Sequence, residues 1–546
     1  MQPLWVRTAL ERVLRETRAQ IVAVAVNQGE TGTDAPPPPT TRVGRWIANR
    51  RSLLYALHRR IDRWKFPPRR SPFALVDISD LIAGAERIPV ATRRTAFSDY
   101  FPAEAVEALR RCDIDVAIRL GFRILRGDAL RVARHGVWSY HHGDKATHRG
   151  GPPAYWEVVE GEAVTGAILQ VLSEQLDDGR VLAQGWVRTD RFSVGRNAAQ
   201  LYWMSEPFLA RALAALEVTR AESAPPEPLA TRPQAYSRRL YRIPDNSTLA
   251  RPLGALAARY LARHVAHLRD EEQWYIAYDV RPQSTRAFHQ VAPYGWRTFE
   301  PPRGTSWADP FPVLRDGRHF LFFEEFHHAD QKGRIRVSEL ERDGRLSAPT
   351  TVLDLPYHLA YPLHLSHGGA DFLMPECATR DAIEVWRART FPNDWTLEHR
   401  MLEGAAWVDA TVYPWRDGWV LFAGLDCNAR GDWDELHVFF SGSPFGPWRP
   451  HRRNPVVTDV RSARPAGLPF VVDGALYRPA QDGSLSYGSS LRLQCVTRLD
   501  EQEYEEHTVT HLHPRWAPHL VGTHTFNHVP GFTVIDARRR VSRLGG

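Results

Sequence analysis

The stretch HGVWSYHHGD at residues 135–144, followed by RGGPP at 149–153, TG at 165–166 and LDDG at 176–179, decides how the first half of this chain is read. Residues 136–141 predict a strand that ends on His141. Taken singly, the pieces are unremarkable. An adjacent His pair is usually solvated or satisfied in a core, and Asp-Asp-Gly is usually a turn. Their order and spacing carry the information.

Around this stretch, apolar spacing at Leu4, Val6, Leu10, Val13 and Leu14 predicts a helix, and the run 20–26 predicts a buried parallel strand. Residues 31–41, with four prolines, read as an extended loop. Trp46, Ile47, Leu53, Leu54, Leu57, Ile61 and Trp64 mark one face of a helix, with Arg45, Arg51, Arg59, Arg60 and Arg63 mostly elsewhere on it. That face is expected to pack on its own domain; the alternative is a membrane surface. Residues 73–78 and 115–120 predict further buried strands, with a helix at 102–111 between them and a loop at 121–125. Alternating strands and helices imply an open parallel α/β sheet, whose ligands sit beyond the carboxyl ends of the strands. Ser139, His141 and the 121–125 loop stand there.

This half resembles the N-terminal catalytic domain of the folate-dependent formyltransferases, the family that includes methionyl-tRNA and sugar N-formyltransferases. Their pattern is Asn-x-His at a strand end, an Arg-Gly-Gly-like turn, then Thr-Gly and Leu-Asp-x-Gly. The His position is His141, the Asp position is Asp177, and Ser139 replaces the Asn. The resemblance implies a Rossmann-like domain using 10-formyltetrahydrofolate as formyl donor. It assigns Ser139, His141 and Asp177 to catalysis, and Gly121, Phe122, Ile124, Leu125, Arg149 and Gly150 to the cofactor side. His141 and a donor at 139 would stabilise a developing oxyanion, and Asp177 would take the proton of the attacking amine. Relatives begin with a strand before the first helix, and none precedes it here; the expectation is either a true start that lies upstream, which is favoured, or a sheet that lacks its first strand.

Composition bounds the rest. At 546 residues, two or three domains are expected. No run of 18 apolar residues and no secretory pattern occur, and Cys112, Cys377, Cys427 and Cys495 are scattered without a CxxC pair. A cytoplasmic setting without a zinc site is expected. The net charge of +7 comes almost wholly from Arg, with Lys at 65, 145 and 332, a usage that points to GC-rich coding. Because these Arg interleave with acids, a solvated basic surface is favoured over nucleic acid or membrane as partner.

From about residue 273 the chain turns aromatic and β-rich. Asp316-Gly317, Gly368-Gly369, Asp417-Gly418, Asp473-Gly474 and Pro530-Gly531 recur, each before or between short apolar strands, which predicts five four-stranded blades. The motifs Trp307-Ala308-Asp309-Pro310-Phe311, Tyr357 to Pro362, Ser443 to Trp448, Ala463 to Gly467 and Tyr477 to Asp482 resemble two groups. These are the five-bladed arabinanase/xylosidase-like glycoside hydrolases and, more closely, the N-terminal region of plant glucosamine inositolphosphorylceramide transferases. Asp309, Glu325, Glu376, Asp409, Arg464, Gln481, Asp482 and His524 are the candidates to converge on the axis. Two carboxyls across a sugar can hydrolyse it; sugar binding and a purely structural role are the other readings. Trp307, Trp407, Trp433 and Trp448 are candidate sugar platforms. His327-His328-Ala329-Asp330 reads as a solvated loop rather than a metal site.

The expected organisation is an α/β formyltransferase domain at 1–220, a linker and helix at 221–271, and an all-β propeller at 272–546. The expected activity is formyl transfer to an amino group of a sugar or glycan precursor. The competing reading is a carbohydrate-binding propeller fused to a degenerate formyltransferase-like domain.

Overall fold

The computed structural model describes residues 1–31, 50–95, 97–144, 147–174, 179–221, 239–281, 293–425 and 434–543. The chain forms two compact units, Met1–Tyr260 and Leu261–Gly546. Among the described residues no helix is long and apolar enough to cross a membrane.

The first unit opens with β1 (Gln2–Pro3), α1 (Leu4–Glu16), β2 (Ala23–Thr31), α2 (Leu53–Lys65), β3 (Leu75–Val76), β4 (Glu86–Arg94), β5 (Ser98–Tyr100) and α3 (Ala103–Arg111). It continues through β6 (Ala117–Arg119), β7 (Ile124–Arg126), β8 (Val137–His141), β9 (Arg149–Gly150), α4 (Trp156–Glu160), β10 (Val164–Val171) and β11 (Val181–Arg188). Next come α5 (Val194–Ser205), α6 (Phe208–Ala221), β12 (Leu240–Tyr241) and α7 (Asn246–Arg269). Two mixed sheets result, in the orders β2-β4-β5-β7 and β11-β10-β8-β6. This corrects the expected all-parallel sheet. The pairs β2/β4, β5/β7 and β6/β8 are parallel, whereas β10 runs antiparallel to both β8 and β11. The short connection from β10 to β11 permits only an antiparallel return.

Two predicted buried strands are also corrected. Among the described residues β2 pairs with β4 alone, at the edge of its sheet; Val22 and Val26 are exposed while Ala23 and Ala25 face the core. The 73–78 strand shrinks to β3, which pairs with β1 and leaves Phe73 and Leu75 exposed. The helix expected at 202–216 is two helices, interrupted between Ser205 and Phe208 where Pro207 cannot continue the ladder.

Helix α2 is turned the opposite way from expectation. Its buried side is Leu54, Tyr55, His58 and Asp62, and its exposed side is Leu53, Leu57, Ile61 and Trp64. Asp62 explains the orientation: its carboxylate accepts the N–H of Val194 at 3.2 Å and of Gly195 at 2.7 Å, the orphan donors that open α5. Trp46 and Ile47 lie outside the described residues.

The segment from 239 to 260, expected to be linker, belongs to the first unit. β12 pairs in parallel with β9, and Leu249 and Leu256 are buried with Tyr155, Trp156 and Val158. The proline-rich stretch at 222–233 lies outside the described residues.

The second unit is a five-bladed propeller. Its first sheet comprises β15 (Thr305–Arg315), β16 (Arg318–His327), β17 (Lys332–Glu339) and β18 (Thr350–Leu353). The second comprises β19 (Ala360–His367), β20 (Ala370–Glu376), β21 (Ile383–Thr390) and β22 (Asp394–Met401). The third has β23 (Trp407–Trp415), β24 (Gly418–Leu425), β25 (Glu435–Ser441), β26 (Arg449–Pro450) and β27 (Val457–Thr458). The fourth has β28 (Phe470–Val472), β29 (Ala475–Asp482), β30 (Ser490–Leu499) and β31 (Tyr504–Leu512). The fifth closes the ring by mixing the two ends of the unit. β13 (Asp270–Asp279), flanked by β14 (Arg297–Phe299), runs antiparallel to β34 (Phe532–Ser542), with β32 (Leu520–Gly522) and β33 (Phe526–Val529) alongside.

Each repeated turn dipeptide joins the first hairpin of a blade. In the third blade, the Trp415↔Gly418 pair makes the loop Arg416-Asp417, one residue earlier than predicted. Positive φ at Asp316, Gly317, Gly368, Gly369, Arg416, Asp473 and Gly474 matches the right-handed strand twist that such two-residue loops require.

Blades one to three share a second repeat. The pairs Ala308↔Glu324 and Phe311↔Phe322 leave residues 309 and 310 opposite one partner, a β-bulge. The same break follows Ala360↔Glu376 and Val408↔Gly424. The first bulged residue has positive φ each time: Asp309, Tyr361 and Asp409.

Candidate functional sites

In the first unit the site is built at the end of β8. Ser139 is buried, and its Oγ receives two hydrogen bonds from Arg119 on the neighbouring β6, from Nε at 2.9 Å and Nη2 at 2.7 Å. The Ser139 hydroxyl donates to the Tyr140 carbonyl at 3.1 Å. Both lone pairs and the proton are therefore engaged, and Ser139 does not present the free donor expected of it. Arg119 Nη1 donates to the carbonyls of Phe122 and Arg123, both at 2.9 Å, so one guanidinium ties β8 to the 121–125 loop. Burial pulls Arg119 below its usual range.

That loop is held from its other side by Asp99, fully buried, which accepts the Arg123 backbone N–H and Nε, each at 2.9 Å. The predicted 121–125 loop is shorter than expected, because Ile124, half-buried, and Leu125, in the core, already belong to β7, while Phe122 packs on Phe101 at 4.8 Å. Gly121 has nothing within 4 Å of where a Cβ would stand.

The His pair divides by alternation along the strand. His142 stacks on Tyr202 at 3.6 Å and meets Trp5 edge-on, and burial pushes it down to about 3, so it is a neutral packing residue. His141 faces the loop 143–148, its Nε2 3.4 Å from the His148 carbonyl. Gly143 is required there, since a Cβ would lie 2.9 Å from that carbonyl oxygen. Gly150, at φ +95°, allows β9 to approach β12: a Cβ would sit 2.1 Å from the Tyr241 carbonyl oxygen. Thr165 and Gly166 are structural: the Thr165 hydroxyl contacts Thr189 at 2.9 Å, and Gly166 makes room for the Trp186 ring. Asp177 lies outside the described residues.

Beside the turn is a shallow depression lined by Gly143, His148, Arg149, Pro153, Glu157 and Tyr241 among others. Glu157 is buried 3.9 Å from His148, and burial raises its carboxyl to about 7. Arg119, His148 and Glu157 were not singled out from sequence. A charged residue inside the apolar run 115–120 was the available signal for Arg119.

In the second unit the bulges bring polar groups to the axis. Asp409 accepts from Arg464 Nε, from Arg464 Nη2 at 3.2 Å and from Gln481 Nε2 at 2.8 Å; Glu376 lies 3.4 Å from the same guanidinium. Asp409, Tyr487 and Glu376 hold Arg464 firmly charged against its burial. Asp309 accepts the Thr525 hydroxyl at 2.6 Å and the Tyr361 N–H at 3.2 Å. His524 sits between Asp536, 2.5 Å from its Nδ1, and Asp309, 3.7 Å from its Nε2. Burial opposes its charge, but the two carboxylates outweigh it and raise His524 above its ordinary value. Asp309, His524 and Asp536 offer ligand atoms within 4.8 Å of one another.

Burial and neighbouring carboxylates push Asp309 up to about 6, and Glu324 and Glu376 well above the usual range. Of the predicted axial residues, Asp309, Glu376, Asp409, Arg464, Gln481 and His524 come together. Two do not. Glu325 points into its blade, bonded to Trp307 Nε1 at 2.9 Å and Arg336 at 2.8 Å, and Asp482 pairs with Arg492 at 2.7 Å. Glu324 takes the axial place, with Asp536 beside Asp309.

The aromatic platform also differs from expectation. Trp307 is buried, Trp407 and Trp448 pack against a blade core, and Trp433 lies outside the described residues. Trp274, stacked on His524 at 4.2 Å, and Tyr487, at 5.1 Å, flank the axial cluster instead. In the 327–330 loop, His327 bonds Glu325, His328 bonds Ser306 and Asp330 pairs with Arg334.

Residues 83–191 match the formyl transferase family model, and residues 303–516 match the model for the N-terminal region of glucosamine inositolphosphorylceramide transferase 1. That transferase from Oryza sativa subsp. japonica is 34% identical over 208 residues, 36% of this chain and 27% of its own length. The Arabidopsis thaliana protein is 32% identical over 204 residues, covering 36% and 26%. Methionyl-tRNA formyltransferase of Caulobacter sp. (strain K31) is 35% identical over 125 residues, covering 22% and 40%. The chain thus spans about a quarter of its plant relatives and less than half of the bacterial one. Similar solved structures include a family 117 glycoside hydrolase of Zobellia galactanivorans, at 15% identity and TM-score 0.32, covering 44% of this chain and 87% of that one. A GH43_1 enzyme from Xanthomonas citri has 13% identity and TM-score 0.32, covering 43% and 86%. The chain is a fusion of a formyltransferase domain with a five-bladed propeller of the glucosamine inositolphosphorylceramide transferase N-terminal type.

Proposed function

We propose that the first unit moves a formyl group from 10-formyltetrahydrofolate to an amine of a sugar or glycan precursor, and that the propeller axis binds carbohydrate. The observation that carries this is the Arg119 guanidinium, which joins Ser139, two residues before His141, to the Phe122 and Arg123 carbonyls of the neighbouring loop. The loop fits such a donor. Its backbone is open at Gly121, and half-buried Phe122 and Ile124 offer an apolar edge to a flat, hydrogen-bonding ring. The donor supplies an electrophilic formyl carbon.

Four of the five Arg119 N–H groups are engaged by described residues, and the charge remains. Arg119 then stabilises the developing oxyanion in place of the missing amide, with His141 opposite. Asp177 receives the amine proton. On the propeller, Trp274 and Tyr487 give a sugar ring two aromatic surfaces beside carboxyls of raised pKa.

Calorimetric titration with 5-formyltetrahydrofolate tests the donor site, and formyl transfer to amino-sugar acceptors tests the reaction. Micromolar donor binding is expected. The competing reading, a carbohydrate-binding protein with a degenerate first unit, is favoured by the full engagement of the Ser139 hydroxyl. Glycan binding by a folded chain that ignores the folate would establish it instead.

A further inference from the structure

Helix α2 carries a surface that formyl transfer does not use. Leu53, Leu57, Ile61 and Trp64 fall within an arc of about 80° at 3.6 residues per turn. Scattered exposed apolar side chains are ordinary; four aligned along one helix are not. Trp64 is 82% exposed and Leu57 is 54% exposed. The inner face is already committed. Leu54 N–H bonds Asn246 at 3.0 Å, His58 meets the Tyr155 hydroxyl at 3.0 Å, and Asp62 caps α5. The helix therefore cannot roll its apolar stripe inward without breaking those bonds.

Charge identifies what the stripe meets. Between residues 50 and 70 the cations are Arg50, Arg51, Arg59, Arg60, Arg63, Lys65, Arg69 and Arg70, and the single acid, Asp62, is buried. No acid among the described residues forms an ion pair with any of these cations. Exposed Arg60 and Arg63 border one side of the stripe, and Lys65 lies beyond the other. An apolar row ending in Trp and bordered by cations is the pattern of a helix lying in the plane of a bilayer, its apolar face among acyl chains and its cations among phosphates. A nucleic acid would engage the cations and leave the stripe in water. A protein groove would engage the stripe without needing a one-sign border.

We propose that α2 is a membrane-surface helix that docks this protein on anionic lipid. The test is flotation of the full chain with vesicles of phosphatidylcholine alone, and of phosphatidylcholine with about one third phosphatidylserine. Binding to the anionic vesicles, absent from the neutral ones and weakened by salt, is expected. Leu57→Ser with Trp64→Ser, and separately Arg60→Ser with Arg63→Ser, should each weaken it by about tenfold or more. Because all four side chains are exposed, Tm should be unchanged, which separates lost docking from lost folding. No binding to anionic vesicles, or binding that survives both pairs of substitutions, overturns the proposal. So does a concentration-dependent dimer abolished by Trp64→Ser, which would give the face to a second copy. Nucleic-acid binding lost with the Arg pair, from a chain that ignores vesicles, overturns it as well.

Discussion

Arg119 and Ser139 form one unit: two N–H groups of the guanidinium converge on a buried hydroxyl at 2.9 and 2.7 Å. The position that carries an amide in related formyltransferases is thus filled by a small hydroxyl backed by a fixed positive charge. If the charge is the working element, the two residues are unequal. Arg119→Met should lower formyl-transfer kcat by about two to three powers of ten. Ser139→Ala should lower it by less than about tenfold, because the guanidinium keeps its bonds to the Phe122 and Arg123 carbonyls. Equal losses in the two variants would place the chemistry on the hydroxyl.

The axial cluster of the propeller makes stability depend on pH in one direction. Asp309 sits near 6 instead of 3.8, so the folded state holds its proton more tightly than the unfolded chain does. That contribution is complete below about pH 4 and is lost as pH rises through about 6. Glu324 and Glu376 are shifted the same way and lose theirs on the same side. His524 is raised, so its contribution is whole below 6.5 and is lost as pH climbs through its higher folded value. All four act together, and the Tm of the propeller transition should fall between pH 5 and pH 9. Asp309 alone accounts for about 1–1.5 kcal/mol of the fall between those two pH values, and Asp309→Asn should flatten the profile. Calorimetry across that range decides it; a Tm that rises with pH contradicts the assignment.

Most of the propeller was legible because its signals are local. The turn dipeptides and the apolar strands beside them mark the hairpins, with a one-residue error at Arg416-Asp417. The axial face was harder to read. A bulge at Asp309 and Pro310 offsets β15 against β16, so counting alternation through it selects Glu325 where the structure selects Glu324. Glu376 occupies the place in the second blade that Glu324 holds in the first. In the first unit, the strand that ends at His141 was readable from its apolar run. Arg119 was not, since its meaning depends on a neighbouring strand remote in sequence. The outward turn of α2 was hidden too: amphipathic spacing shows that two faces differ, and a single buried Asp62 decides which one is inside.

Arg464 holds two carboxyls of different blades, Asp409 and Glu376. Its removal would strand both acids in a buried site. Arg464→Met should cost about 3–5 kcal/mol. Arg464→Lys should recover little, because one ammonium cannot reproduce the Nε and Nη2 geometry. Chemical denaturation of the three proteins at one pH measures the order. A methionine variant as stable as the parent would mean that the guanidinium is not what holds these two blades together.

Asp62 and Gly195 should show a reversal of sign. The Asp62 carboxylate accepts the Val194 and Gly195 N–H groups, and a Cβ on Gly195 would stand 3.0 Å from Asp62 Oδ2. Asp62→Ala leaves two helix-opening donors without that acceptor and should cost about 1–3 kcal/mol. Gly195→Ala alone should also destabilise, since the carboxylate must retreat from the new methyl group. Once Asp62 is Ala, nothing opposes that methyl, and alanine's better helix propensity should make the same substitution stabilising by up to about 1 kcal/mol. A double-mutant cycle by denaturation measures the coupling. If Gly195→Ala has the same sign in both backgrounds, the cap from Asp62 is not what holds α2 with its apolar stripe outward.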